Sequence, residues 1–328
     1  MLQAAGTCMD AVGLGAHAWQ VLLGAAPPLS PASAQAVGPR DAGLAWAMLG
    51  ACAGMLLVLL ALERCGFALA AALGVRRQQQ KFARAFAELC YYSAAVGFLA
   101  RACWDARWFW PAGWHEVMHD GRVQMTPELA PYTAPADLKF VYITATSYYA
   151  ASLVLLLSRP KKKDCAEMAL HHVITAALLV LSYRTGYLRI GVVVMALHDV
   201  FDPLMLAAKC AHYARVPVLP DIAFACSAVA FAVPRFWLFP RAIHHAWLGV
   251  CAGSASCPGG VWDKTPLEFT LVALLLALLP IHALWFAMIL RVLRTAVAAA
   301  GVQGDVRSDS EDEEGDAHAG APAKIKRR

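Results

Sequence analysis

The chain has 328 residues, of which 59% are hydrophobic and 16% charged, with a mean hydropathy of +0.52 and a formal net charge of +5. Soluble domains carry about 25% charged residues and lack long apolar runs, so this composition excludes an ordinary globule and predicts an all-α polytopic membrane protein. The basic residues fall in short clusters between apolar segments and not on one face interleaved with aromatics, which argues against nucleic acid as a partner.

In chain order, residues 1–43 read as an N-terminal segment. It lacks the basic and apolar regions of a signal peptide and is interrupted by Pro27, Pro28 and Pro31. A crossing takes about 20 mostly apolar residues. Seven stretches qualify: about 44–64, 83–103, 138–158, 166–184, 187–208, 217–240 and 267–291. The second is interrupted by Arg84, Glu88 and Arg101, so it is predicted to face protein or water. Residues 44–80 form the first helix and a basic loop, 81–294 a six-helix catalytic domain, and 295–328 a tail.

Basic residues recur at Arg76–Lys81, at Arg159, Lys161, Lys162 and Lys163, at Lys209 and Arg215, and at Arg291 and Arg294. With seven crossings all four positions share one side, which the positive-inside rule makes cytosolic. The N-terminus is then lumenal and the C-terminus cytosolic. The loop 241–266 falls on the oxidising side, where Cys251 and Cys257 are a disulfide candidate. The other cysteines, such as Cys52 and Cys226, sit in apolar runs as small core residues, without a CxxC. There is no asparagine, hence no N-glycosylation sequon. The tail holds an acidic run expected to be disordered, with Ser308 and Ser310 placed for an acid-directed kinase. Lys324 and Lys326 resemble a dilysine address to the endoplasmic reticulum.

The chemistry concentrates in the fourth and fifth crossings, where His171, His172, His198, Asp199 and Asp202 lie in otherwise apolar sequence. An ionisable group at bilayer depth costs roughly 3 kcal/mol on insertion scales and marks a functional site by default. An interhelical hydrogen bond, worth ~0.6–2 kcal/mol, accounts for one such histidine but poorly for five groups together. By helical rise, His171 lies about 8 Å inside its crossing and Asp202 about 10 Å from Lys209. His198 and Asp202 share a helix face, as do Asp199 and Asp202. The short link Tyr183–Leu188 makes the two crossings antiparallel neighbours, so both sets of groups can meet. His171 and His172 point about 100° apart, so one is expected to act while the other positions a partner or faces a neighbouring helix.

A carboxylate beside an imidazole sets its tautomer and raises its basicity. No serine or cysteine nucleophile stands in an elbow motif, which leaves histidine as general base or as acyl acceptor. HH with HD can in principle hold one zinc. Membrane di-iron enzymes need about eight histidines arranged in HxxxH and HxxHH boxes, a set this chain does not assemble, and His244–His245 falls at or beyond the far end of its crossing. No metal and no resident cofactor are expected.

The order HHxxT (His171, His172, Thr175), SY (Ser182, Tyr183), RxG (Arg189, Gly191), HDxxD (His198, Asp199, Asp202) and Lys209 resembles the signature of ceramide synthases, acyltransferases of the TLC-domain superfamily. Lys81–Phe82, the Trp-rich stretch 104–136, Tyr148–Tyr149 and KKDCAEM before the histidines extend the likeness over about 81–291. It implies a TLC-type helical bundle in the endoplasmic reticulum membrane and N-acylation of a sphingoid base by a fatty acyl-CoA co-substrate. His171, His172, His198, Asp199 and Asp202 would take the essential roles. Arg159, Lys161, Lys162, Lys163 and Lys209 would meet the acyl-CoA phosphates, and the loop 241–266 would tune acyl-chain choice. A homo- or heterodimer is compatible with the likeness. Phe201 replaces a usual small residue, Leu206 a usual glutamate, and Pro203 is unusual and predicted to kink the fifth helix. The alternative is a non-enzymatic TLC-domain protein that binds lipid or assists a translocon, since fold alone does not establish function.

Overall fold

The computed structural model describes residues 39–116, 136–159, 164–249 and 266–299. These form α1 (Pro39–Ala72), α2 (Gln79–Cys103), two 3-10 turns (Arg107–Phe109 and Pro111–Glu116), α3 (Ala136–Ser158) and α4 (Cys165–Thr185). There follow α5 (Leu188–Asp199), α6 (Asp202–Tyr213), α7 (Leu219–Ala232), a π-helical turn (Val233–Leu238), α8 (Phe239–Gly249) and α9 (Pro266–Ala299). No strand occurs among the described residues. Helices are the natural solution for an apolar chain in lipid, because each satisfies its own backbone hydrogen bonds.

Six segments are long and apolar enough to cross a membrane, namely Trp46–Ala72, Ala136–Ser158, Cys165–Tyr183, Leu188–Tyr213, Leu219–Leu248 and Pro266–Ala296. The remaining expected crossing, the second, is α2, which carries Lys81, Arg84, Glu88 and Arg101 and is not among them. As its charges predicted, α2 turns Lys81, Arg84 and Glu88 toward an internal cavity. Leu49 and Leu57 on α1 and Leu284 on α9 are exposed on the outside of the bundle, where lipid would cover them. The first, sixth and seventh crossings run on to Ala72, Gly249 and Ala299, at the ends of α1, α8 and α9. Hydropathy marks where a helix leaves lipid, whereas backbone hydrogen bonding decides where it ends.

Around the bundle the crossings pack in the order first, second, fifth, sixth, seventh, fourth, third and back to first. The fourth and fifth are joined by a tight turn. Gly186, at φ 80°, closes α4 in the left-handed conformation, and the Tyr187 amide donates to the Ser182 carbonyl at 2.9 Å. Against this turn the Tyr142 hydroxyl of α3 lies 3.1 Å from Ser182 Oγ and donates toward the Leu188 carbonyl at 3.2 Å. A Cβ on Gly191 would fall 1.8 Å from that hydroxyl. The SY and RxG elements thus make the joint that locks three crossings together at one end.

Two helix irregularities shape the middle of the bundle. The fifth crossing breaks at Val200–Phe201, where Pro203 has no N–H to continue the α5 ladder. This is the expected kink, and it leaves His198 and Asp199 at the end of α5 and Asp202 at the start of α6. In the sixth crossing the π turn contains Pro234 and turns Arg235 inward, where it is buried.

Candidate active site

Five residues chosen from the sequence, His171, His172, His198, Asp199 and Asp202, line one cavity. Arg159 and Lys209 line the same cavity at its outer end, together with Lys81 and Arg84. Arg159 is not free there, because it forms an ion pair with Glu63 of α1, and Arg84 Nε lies 3.6 Å from the same carboxylate. Lys161, Lys162, Lys163, Cys251, Cys257, Ser308 and Ser310 lie outside the described residues.

A second, narrower cavity, almost wholly apolar, runs along α5 between α4 and α9. It extends from His171 and His198 past Thr175, Leu178 and Val194 to Ser182. At that far end the Tyr187 hydroxyl donates to Glu268 at 2.6 Å. The two cavities share three lining residues, His171, His198 and Tyr149. The histidines therefore stand at a junction, with a polar chamber on one side and an apolar channel on the other.

The histidines differ in what holds them. His198 Nδ1 lies 2.7 Å from the Val194 carbonyl. A carbonyl only accepts, so Nδ1 carries the proton and Nε2 is left as an acceptor. His282 on α9 meets that Nε2 with its own Nε2 at 3.1 Å and must be the donor. The tautomer of His198 is thus set by a backbone carbonyl and a second histidine, where the sequence pointed to a carboxylate. The Nδ1 atoms of His171 and His172, by contrast, are buried without a hydrogen-bond partner. His171 packs edge-on to Trp285 at 5.0 Å, and Tyr149 stands 6.1 Å from His171 and 5.5 Å from His172. Tyr149 lines the same cavity as Asp199 and Asp202, so its ring stands between the histidine pair and the carboxylates.

Arg235 is the buried cation of this region. It donates to the His198 carbonyl at 2.9 Å, stacks over Phe231 and Phe201, and lies within electrostatic reach of Asp202 and Asp199. Sequence reasoning passed over both Arg235 and His282. Each is an ionisable residue inside an apolar span, which was signal enough to find them. Neither belongs to a local motif, and only the fold brings them beside His198. Among the described residues, no three of His, Cys, Asp and Glu converge as a metal site.

The fold and the buried site define a multi-pass membrane protein with an ionisable, histidine-centred chamber inside its bundle. The chain matches the TLC domain family over residues 81–291 and belongs to it. It is 33% identical over 216 residues to Alternaria stem canker resistance protein 1 of Solanum lycopersicum, covering 64% of this chain and 65% of that one. It is 30% identical over 237 residues to ceramide synthase 5 of Mus musculus, covering 70% and 52%. With ceramide synthase LOH2 of Arabidopsis thaliana it shares 35% identity over 188 residues, covering 54% and 60%. The chain thus spans between about half and just under two thirds of these relatives' lengths.

Proposed function

We propose that this protein is a ceramide synthase-like acyltransferase of the endoplasmic reticulum membrane, moving a fatty acyl group from acyl-CoA to the amine of a sphingoid base. The observation that carries the reading is the junction at His171, where an apolar channel fit for an acyl chain meets a chamber with a basic outer end. Names of relatives such as ceramide synthase 5 and LOH2 point the same way.

In this reading coenzyme A sits at the outer, cytosolic end near Lys81 and Lys209, and the acyl chain lies in the channel. The unpartnered nitrogen and shared position of His171 favour it as the acyl acceptor, with His172 and Tyr149 packed beside it. His171 nitrogen attacks the thioester carbon, the C–S bond breaks, and the thiolate leaves with the imidazole proton as free coenzyme A. The amine then attacks the acyl-imidazole, the C–N bond to His171 breaks, and one amine proton passes to the departing imidazole nitrogen. His198, occupied on both nitrogens, positions the junction.

The channel has a length. From His171 to Ser182 on α4, and from His198 to Tyr187 on α5, the path is eleven residues, about 16 Å at the helical rise. An extended chain advances roughly 1.2 Å per bond, so the channel holds about fourteen carbons beyond the histidine. Palmitoyl-length donors fit better than very long ones.

The test is conversion of labelled sphinganine by microsomes containing the full chain, supplied with acyl-CoAs of graded length. N-acyl product is expected, and His171→Ala is expected to abolish it while the protein still inserts in the membrane. Absence of product with every donor, or near-normal turnover by His171→Ala, would overturn the reading.

A further inference from the structure

The polar chamber changes character with depth, in the same order on three helices. On α2 the lining residues run Lys81, Arg84, Glu88, Tyr92, a single stripe at helical spacing. On α3, followed inward from its end, they run Arg159, Ser152, Tyr149, Tyr148. From α6 into α5 they run Lys209, Asp202, Asp199. Each stripe is basic at the mouth and acidic or aromatic inside. The inner end of the α2 stripe, Tyr92, lies about 16 Å from Lys81 at the helical rise.

The inner aromatic rings form a built cluster. Tyr148 stacks face to face on Tyr91 at 3.6 Å, which holds it from behind. Tyr92 stands edge-on to Tyr148 at 5.1 Å and Tyr149 edge-on to it at 5.7 Å. The three lining rings are therefore mutually inclined and do not form one flat stack. Against them lie the carboxylates of Asp199 and Asp202. The buried His171 and His172, each with an Nδ1 that has no hydrogen-bond partner, line the same space. Inclined aromatic faces beside carboxylates are the recognition chemistry of an alkyl ammonium, which takes charge from the acids and cation–π attraction from the rings.

We propose that Tyr92, Tyr148 and Tyr149, with Asp199 and Asp202, form the seat of the primary ammonium of the acyl acceptor. This rests on the acyltransferase reading above and assigns the acceptor's half of the chamber. The polarity of the three stripes separates the substrates, with phosphates held at the basic mouth and the cation drawn inward. A seated ammonium gives one proton to the Asp199 or Asp202 carboxylate and becomes the free amine that attacks the acyl carbon. That carboxylic acid returns its proton to water through the mouth after the amide leaves.

The experiment measures binding of labelled sphinganine to the purified full-length protein without acyl-CoA, beside neutral N-acetylsphinganine, and in parallel the KM of each substrate. Sphinganine is expected to bind at least tenfold more tightly than the neutral analogue. Tyr92→Leu should weaken sphinganine binding by roughly tenfold and raise its KM while the KM for acyl-CoA stays put. Tyr92→Phe, which keeps the aromatic face, should restore most of the affinity, and Asp202→Asn should give a second loss in the same direction. Equal binding of the neutral analogue, or a Tyr92→Leu defect that falls on acyl-CoA instead, overturns the seat even if acyl transfer is intact. Charge-selective, Tyr92-dependent binding without any acyl transfer supports the seat and overturns only the acyltransferase reading.

Discussion

Leu178 offers the sharpest test of the apolar channel. It lines the channel seven residues beyond His171, about 10 Å along α4. At roughly 1.2 Å per bond, a Leu178→Trp side chain should stop an acyl chain after about nine bonds. Two effects compete in setting the size of the change. Each methylene buried from water is worth about 0.8 kcal/mol, which over five lost methylenes would suggest a very large preference. The donor's tail, however, comes from lipid that is as apolar as the channel, so most of that term cancels. Steric exclusion remains, and forcing excess volume into a packed site costs about 1–3 kcal/mol. The ratio of kcat/KM for decanoyl over palmitoyl donors should therefore rise about 5- to 150-fold. Microsomal assays with donors from eight to twenty-four carbons, each at several concentrations, would measure it. A uniform fall in activity at every chain length would refute the channel assignment.

Three other outcomes follow from particular contacts. Gly191→Ala should lower the thermal midpoint in detergent by the equivalent of about 1–3 kcal/mol, because the new Cβ would overlap the Tyr142 hydroxyl. Tyr142→Phe in the same chain should recover part of the loss. Arg235→Met removes the buried donor to the His198 carbonyl, a defect of about 1–3 kcal/mol visible by scanning fluorimetry. Arg235→Lys should not repair it, since an ammonium lacks the planar fork that reaches the His198 carbonyl. Glu63→Gln should release Arg84 and Arg159 at the chamber mouth. The KM for acyl-CoA is expected to fall roughly two- to fivefold, with the KM for sphinganine unmoved; an unchanged acyl-CoA KM would count against a phosphate site at that mouth.

What could be read from the sequence was what depends on local pattern. Apolar runs located the helices, and the charges of α2 announced its cavity-facing stripe before any geometry was known. The HH and HD pairs stood out because ionisable residues are costly in lipid, and the short link after Tyr183 brought them together. His282 and Arg235 obey the same rule but belong to no motif with a neighbouring ionisable residue, so their place beside His198 depends on a ring order that no local pattern encodes. The orienting partner of His198 was misjudged for a related reason. Asp202 shares its helix face by spacing, yet an i−4 carbonyl and a histidine from another helix reach its nitrogens first. The fifth crossing's break was legible in Pro203, whereas the inward turn of Arg235 required the π turn after Ala232.

The matched TLC domain begins at Lys81, but the chamber does not. Leu59 and Glu63 of α1, both ahead of that boundary, line it too. The first helix is therefore a wall panel of the chamber itself. A chain cut at the domain boundary would open the mouth sideways into lipid and leave two arginines without their carboxylate. Exchanging α1 between relatives should thus transplant how strongly the donor's headgroup is gripped, while the ruler that measures its tail stays behind with α4, α5 and α9.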